Sequence, residues 1–184
     1  MMRKPIAALA CFWLSCAVVA DPVDVAMPDR VTLGTVALRL NGAGVRQKFV
    51  FDVYAAGLYV TNPSADAATL VDAQAPRRMH MQFLRAVDRS KIVDAWREGI
   101  AANSPAEVHE ELGGRIDAFC TLFGDVDAGG EVLLDYLPGV GTRVTIDNEE
   151  RGVVEGKDLN DALLRVWLGP EPVSLDLKDA LLGR

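Results

Sequence analysis

The chain has 184 residues, half of them apolar, and a formal net charge of −7 at pH 7. That length suits one domain with a substantial core, and that acidity argues against nucleic acid as a partner. The sequence shows no low-complexity tract, charge run or internal repeat that would mark a linker, a disordered tail or a solenoid.

The N-terminus reads as a targeting segment. Arg3 and Lys4 form a positive start, Ile6 to Leu14 supply a short apolar core, and Val18-Val19-Ala20 offers small residues for cleavage before Asp21. Residues 1–20 are thus expected to be a secretory signal peptide and residues 21–184 the domain, with a periplasmic or secreted location. The apolar run is shorter than the ~20 residues a spanning helix needs, so no transmembrane segment is expected after cleavage. An uncleaved anchor and a lipoprotein built on Cys16 are the other readings; Trp13, three residues before that cysteine, speaks against the second. Cleavage would shift the formal charge from −7 to −9 and remove Cys11 and Cys16, leaving Cys120 without an intramolecular partner. Cys120 falls on the helical face Val108, Leu112, Ile116, Phe119, Cys120, Phe123, where a buried, inert thiol is expected.

From residue 31 the pattern is that of strands. Val31 and Leu33 alternate with polar neighbours, Gly34-Thr35 breaks the phase, and Val36, Leu38 and Leu40 resume it; Asn41-Gly42-Ala43-Gly44 reads as a second interruption. Phe49 to Val60 is apolar on both parities, as in a strand from the middle of a sheet. Asn62-Pro63-Ser64 ends it, with Ser64 as the expected cap of a short helix carrying Leu70 and Val71. Met79, Met81 and Phe83 alternate in a further strand.

The period becomes helical at Asp88, with Ile92, Val93, Trp96, Gly99 and Ile100 on one stripe and Lys91, Asp94, Arg97 and Glu98 facing solvent. Ser104-Pro105 opens another helix that runs to about Phe123. Two strands, Glu131–Tyr136 and Thr142–Ile146, meet at Pro138-Gly139-Val140-Gly141, and a third, Gly152–Val154, completes a meander. Leu159, Ala162, Leu163, Val166 and Trp167 form a helix stripe stopped by Gly169-Pro170, before a last amphipathic segment from Leu175 to Leu182. Strands, helices, strands and helices in that order predict an α+β fold, an antiparallel sheet packed against a layer of helices.

No phosphate-binding loop, hydrolase elbow, metal-ligand spacing or Cys/His pair is written in the sequence, and no cofactor is implied. His80 sits among alternating residues on a strand, where a surface or edge residue is expected rather than a catalytic one. The segment Leu40-Asn41-Gly42-Ala43-Gly44-Val45-Arg46 followed by Asp52-Val53-Tyr54-Ala55-Ala56-Gly57-Leu58-Tyr59-Val60 resembles the N-terminal signature of the chalcone-isomerase superfamily. The likeness continues through Met81–Ile100, Tyr136-Leu137-Pro138-Gly139 and Val166-Trp167-Leu168-Gly169-Pro170 to Leu181-Leu182-Gly183. It covers nearly all of the expected mature chain and is nearer the bacterial, exported branch than the plant enzymes.

The resemblance implies an open-faced sandwich of sheet and helices around an apolar cleft. It also implies that the arginine matching Arg46 faces the ligand, a phenolate in the plant enzymes and a carboxylate, shared with a tyrosine, in fatty-acid-binding members. A guanidinium facing an apolar cavity is costly unless an anion satisfies it. The other reading of Arg46 is a salt bridge to Asp52 or another carboxylate. Tyr54 stands where the plant enzymes have a threonine, and Lys91 and Glu98 fall near their tyrosine and asparagine, so no catalytic residue is named. Tyr54 either shares the acid head group with Arg46 or is a core tyrosine. On one straight strand the two would lie about 26 Å apart, at roughly 3.3 Å per residue, so their meeting requires a bend, bulge or hairpin near Gln47-Lys48.

The resulting expectation is non-catalytic binding of a small apolar carboxylate, fatty-acid-like, with Arg46 as anchor and Tyr54 as helper, and Trp96, Phe119 and Trp167 as wall or core. An isomerase acting on a conjugated carbonyl is the competing class. An envelope protein without ligand is a third, and it predicts a cleft filled by side chains.

Overall fold

A computed structural model describes residues 27–184. The expected signal peptide lies outside the described residues. Seven antiparallel strands form one sheet in chain order: β1 (Arg30–Leu33), β2 (Val36–Lys48), β3 (Phe51–Val60), β4 (Arg77–Phe83), β5 (Glu131–Leu137), β6 (Gly141–Ile146) and β7 (Glu149–Val154). Between β3 and β4 comes α1 (Ala67–Asp72); α2 (Arg89–Ala102) and α3 (Ala106–Thr121) separate β4 from β5; α4 (Lys157–Leu168) and α5 (Leu175–Leu181) end the chain. The α+β fold is as expected.

Tight turns produce this meander. Gly34 takes a left-handed φ of 61° between β1 and β2, and Asp147 and Asn148 take φ of 50° and 64° between β6 and β7, the mirror-image turn that suits the strand twist. Alternation then assigns the faces. Tyr54, Ala56, Leu58 and Val60 on β3, with Met79, Met81 and Phe83 on β4, point into a core closed by the apolar stripes of the five helices. Leu33, Leu38 and Tyr59 make a smaller cluster on the opposite face.

Three local readings are corrected. Asn41 to Gly44 does not interrupt the sheet: β2 runs through it with a register shift between Leu40 and Gly42. Its glycines instead admit α5, since a Cβ on Gly42 would collide with the Ala180 carbonyl and one on Gly44 would lie 2.7 Å from the Ala180 Cβ. Asn41 fastens the same contact by donating from Nδ2 to the Leu181 carbonyl at 2.7 Å. The cap of α1 is Asp66, whose carboxylate accepts from the Thr69 N–H at 2.8 Å, while Ser64 accepts from the Asp66 N–H one turn earlier. Phe49 and Val50 are not strand residues but the turn that joins β2 to β3.

Candidate ligand site

That turn resolves the separation of Arg46 from Tyr54. Folding the chain back at Phe49-Val50 sets the two residues directly opposite each other on β2 and β3, and the Arg46 guanidinium carbon lies 5.6 Å from the Tyr54 ring centre. Of the bend, bulge or hairpin that their meeting required, the chain makes a hairpin. Tyr54 pairs in register with Phe83 across β3 and β4, so the arginine shares the helix-side face with that pair.

Below them lies a pocket of about 60 Å³ whose exposed lining is almost wholly apolar. Phe83 and Val132 floor it from the sheet; Ile92 and Trp96 of α2, and Val166 and Trp167 of α4, wall it. Trp96 and Trp167 meet edge to face, with ring centres 5.3 Å apart. Phe119, the third aromatic expected near the cleft, does not line this pocket; it is fully buried behind Trp96 at 5.1 Å. Outside lies a groove of about 640 Å³, and Arg46, Val53, Val87, Lys91, Ala95 and Val173 line both spaces. Arg46 and Lys91 thus stand where the apolar pocket opens into the groove of mixed polarity.

The hydrogen bonding at this junction is incomplete in a specific way. Trp167 Nε1 donates to Tyr54 Oη at 2.9 Å, which uses an acceptor site of the phenol and leaves its hydrogen free to be donated elsewhere. Burial pushes the Tyr54 pKa above its ordinary value, with the Arg46 charge and the Trp167 bond pulling back, so the phenol is a donor at neutral pH. Arg46 Nε is buried with no hydrogen-bond partner among the described residues. The expected alternative, a pair with Asp52, is not formed: Asp52 lies opposite Gln47 and accepts from its Nε2 at 2.7 Å.

Sequence reasoning placed Lys91 on the solvent face of α2, where it is exposed, but its side chain also reaches the pocket mouth. Glu98, two turns on, lines only the outer groove. The indole bond to Tyr54 was not legible either, because it joins residues 113 positions apart. Cys120 is buried as expected, and burial raises its thiol pKa, which makes it a poor nucleophile. No helix of the described residues is long and apolar enough to cross a membrane.

An antiparallel sheet carrying helices on one face, with an apolar pocket between the layers and donors at its mouth, defines an open-faced α+β protein. A model of the chalcone isomerase-like family matches residues 20–183, and the chain belongs to that family. Among solved structures it is similar to a fatty-acid binding protein of Arabidopsis thaliana, with a TM-score of 0.68 and 19% identity over 85% of this chain and 91% of that one. At that identity the likeness is one of fold. Comparison with curated protein sequences returns no match.

Proposed function

We propose that the protein binds a small apolar carboxylic acid, fatty-acid-like, without transforming it, and that it does so in the cell envelope after loss of residues 1–20. The observation that carries this reading is the pair of open donors at the pocket mouth, Arg46 Nε and the Tyr54 hydroxyl, above an apolar chamber. A buried donor left unmade costs about 1–3 kcal/mol, and a carboxylate would satisfy both at once. The carbon chain then occupies the chamber, or lies along the groove where it exceeds the chamber. Few polar groups reach the inner space, and the indole N–H is already used by Tyr54; that suits an anchor better than the converging donors an enolate requires. The fatty-acid-binding neighbour of the same fold agrees with this reading. The presence of an open pocket speaks against the ligand-free alternative.

The test is paired. Arg46→Ala should weaken binding of a fluorescent fatty acid by about 2–5 kcal/mol while leaving the thermal melt nearly unchanged. Arg46→Lys should recover only part of the affinity, because an ammonium lacks the planar fork that grips a carboxylate. Unchanged affinity with a lowered melting temperature would assign Arg46 to structure instead. N-terminal sequencing of protein recovered from the envelope should return Asp21 or a near neighbour; Met1 would overturn the proposed location.

A further inference from the structure

The turn between β2 and β3 carries the two most exposed large apolar residues among the described part of the chain, Phe49 at 89% and Val50 at 84%, with Phe51 beside them at 55%. Three consecutive side chains of this kind on an otherwise acidic, well-covered protein call for a partner. Phe49 is moreover held at φ 58°, a region that favours glycine or asparagine and in which a bulky residue is an outlier. An aromatic ring kept at a turn position that disfavours it, and pointing to solvent, serves what lies outside the fold.

The surroundings indicate the partner's chemistry. Lys48 directly precedes the tip, and the Arg85 guanidinium lies 4.9 Å from the Phe51 ring centre. Both cations are exposed and neither forms a salt bridge among the described residues. The acid next to the tip, Asp52, is held by Gln47. On the groove side the remaining acids are Asp88, Asp94 and Glu98 around α2, and Glu171 beyond α4. The tip therefore combines an apolar wedge with unpaired positive charge on a chain of net charge −7. Aromatic rings that seat at the headgroup level, beside cations that meet lipid phosphates, are what an anionic bilayer surface accepts.

We propose that the β2–β3 hairpin tip docks the protein on an anionic phospholipid surface. Phe49 and Phe51 also line the groove that leads to the Arg46 pocket, so docking presents the mouth of that pocket to the bilayer. What the docking serves, uptake or delivery of an apolar acid, rests on the ligand reading above; the docking itself does not. Apolar insertion and electrostatic attraction are each weak alone and act together, which predicts reversible, lipid-selective attachment.

Val50 isolates the claim, because it is exposed at the tip and lines neither the pocket nor the groove. Protein in the form the cell makes, with its N-terminus determined and common to all variants, is sedimented with vesicles of phosphatidylglycerol and phosphatidylethanolamine, or of phosphatidylcholine alone. Wild type should bind the anionic vesicles at least tenfold more tightly than the neutral ones. Val50→Asp should lose about tenfold or more on anionic vesicles while keeping wild-type melting and wild-type fatty-acid affinity in vesicle-free solution. Val50→Trp should bind at least as well as wild type. Lys48→Gln with Arg85→Gln should lose about tenfold and flatten the dependence on lipid charge. Arg46→Ala should keep its vesicle binding whatever becomes of its fatty-acid affinity, so the two readings fail separately. Equal sedimentation of wild type and Val50→Asp, or no binding of wild type to anionic vesicles, would overturn the proposal. So would a wild-type dimer in solution that Val50→Asp converts to monomer, since the tip would then be an interface between copies.

Discussion

Two arginines face the helix layer beside opposite ends of β3, one on β2 and one on β4, each over a tyrosine ring, and they are treated differently by their surroundings. Arg77 pairs in register with Val60 at one end of β3, and its guanidinium carbon is 4.9 Å from the Tyr136 ring centre. Its Nε donates to Asn160 Oδ1 at 2.7 Å, one terminal nitrogen reaches the carbonyls of Leu70, Val71 and Ala73, and the other meets Asp161 at 2.5 Å. Asn160 passes the network on to Thr142 Oγ1 at 2.9 Å, and Lys157 supports Asp161 at 2.6 Å. Arg46, beside Tyr54 at the other end, has a buried Nε with no partner among the described residues and an open space in front of it. A buried guanidinium with every nitrogen hydrogen-bonded joins elements, here the end of α1 to α4; a half-buried one whose Nε is left open is prepared for something not in the chain.

The comparison is broken most forcefully at Arg77. Arg77→Ala strips Asn160 Oδ1 and three carbonyls of this donor and leaves Asp161 with Lys157 alone, and removing one member of a buried ion pair costs about 3–5 kcal/mol. For a chain of this length the melting temperature should fall by roughly 6–20 °C. Fatty-acid affinity of the folded fraction should stay near wild type. Thermal melts and titrations on Arg77→Ala beside Arg46→Ala should give opposite patterns, stability lost in one and affinity in the other. If both variants lost stability alike, the distinction between the two arginines would be wrong.

The sequence announces these two sites unequally. Arg77 shares parity with Met79, Met81 and Phe83, so the alternation already places it on the core face, yet nothing local tells that Asn160 and Asp161 of α4 will meet it there. Arg46 was found through a family resemblance, and its position opposite Tyr54 depends on a turn that the residues conceal. Phe49, Val50 and Phe51 carry none of the glycine, asparagine or proline that mark a hairpin, and their apolar character continues the strand pattern instead. Conversely Gly42 and Gly44 look like a break and are a seat for α5, because glycine serves close approach as readily as it serves a turn. Periodicity finds strands, faces and helices; it is silent on which distant groups will complete a hydrogen-bond set.

Tyr54 lies between the two cases and sharpens the contrast with a smaller effect. Its oxygen accepts from Trp167 within the fold, while its hydrogen is open. Tyr54→Phe leaves the buried indole N–H without an acceptor, at a cost of about 1–2 kcal/mol. It also removes one of the two donors offered to the ligand, with a loss of affinity of about tenfold. Both readouts should move together, each less than in the arginine variant that moves it alone. A melt unchanged by Tyr54→Phe would mean that Trp167 finds another partner.

The smallest expected effect concerns pH, to which the contrast between the arginines should be blind because guanidinium groups keep their protons throughout the range in which the fold can be studied. The histidine whose pKa burial lowers is His80, on the opposite face of the sheet, against the Tyr59 ring at 6.5 Å and among Arg78, Asp135 and Glu131. Its Nε2 is 2.7 Å from Glu131 Oε1, but off the line of a ring N–H bond, so the proximity does not amount to a made hydrogen bond. Burial holds the His80 pKa below its ordinary 6.5; Glu131 pulls it back up, and Arg78 adds to the lowering. The unfolded chain therefore takes up this proton at a higher pH than the folded one. Stability is full above about pH 6.5 and declines as pH falls through the lower folded value, because there the unfolded state binds more protons. His80 is only partly buried, so solvent screening keeps the contribution below about 1 kcal/mol. Wild type and His80→Gln melted at pH 7.5 and pH 5 should differ in their pH drop by about 1–3 °C, wild type falling further. An equal drop in both would place the pH response on the carboxylates. A larger drop in the glutamine variant would mean that protonated His80 pairs with Glu131 and stabilises the fold, reversing the sign argued from burial.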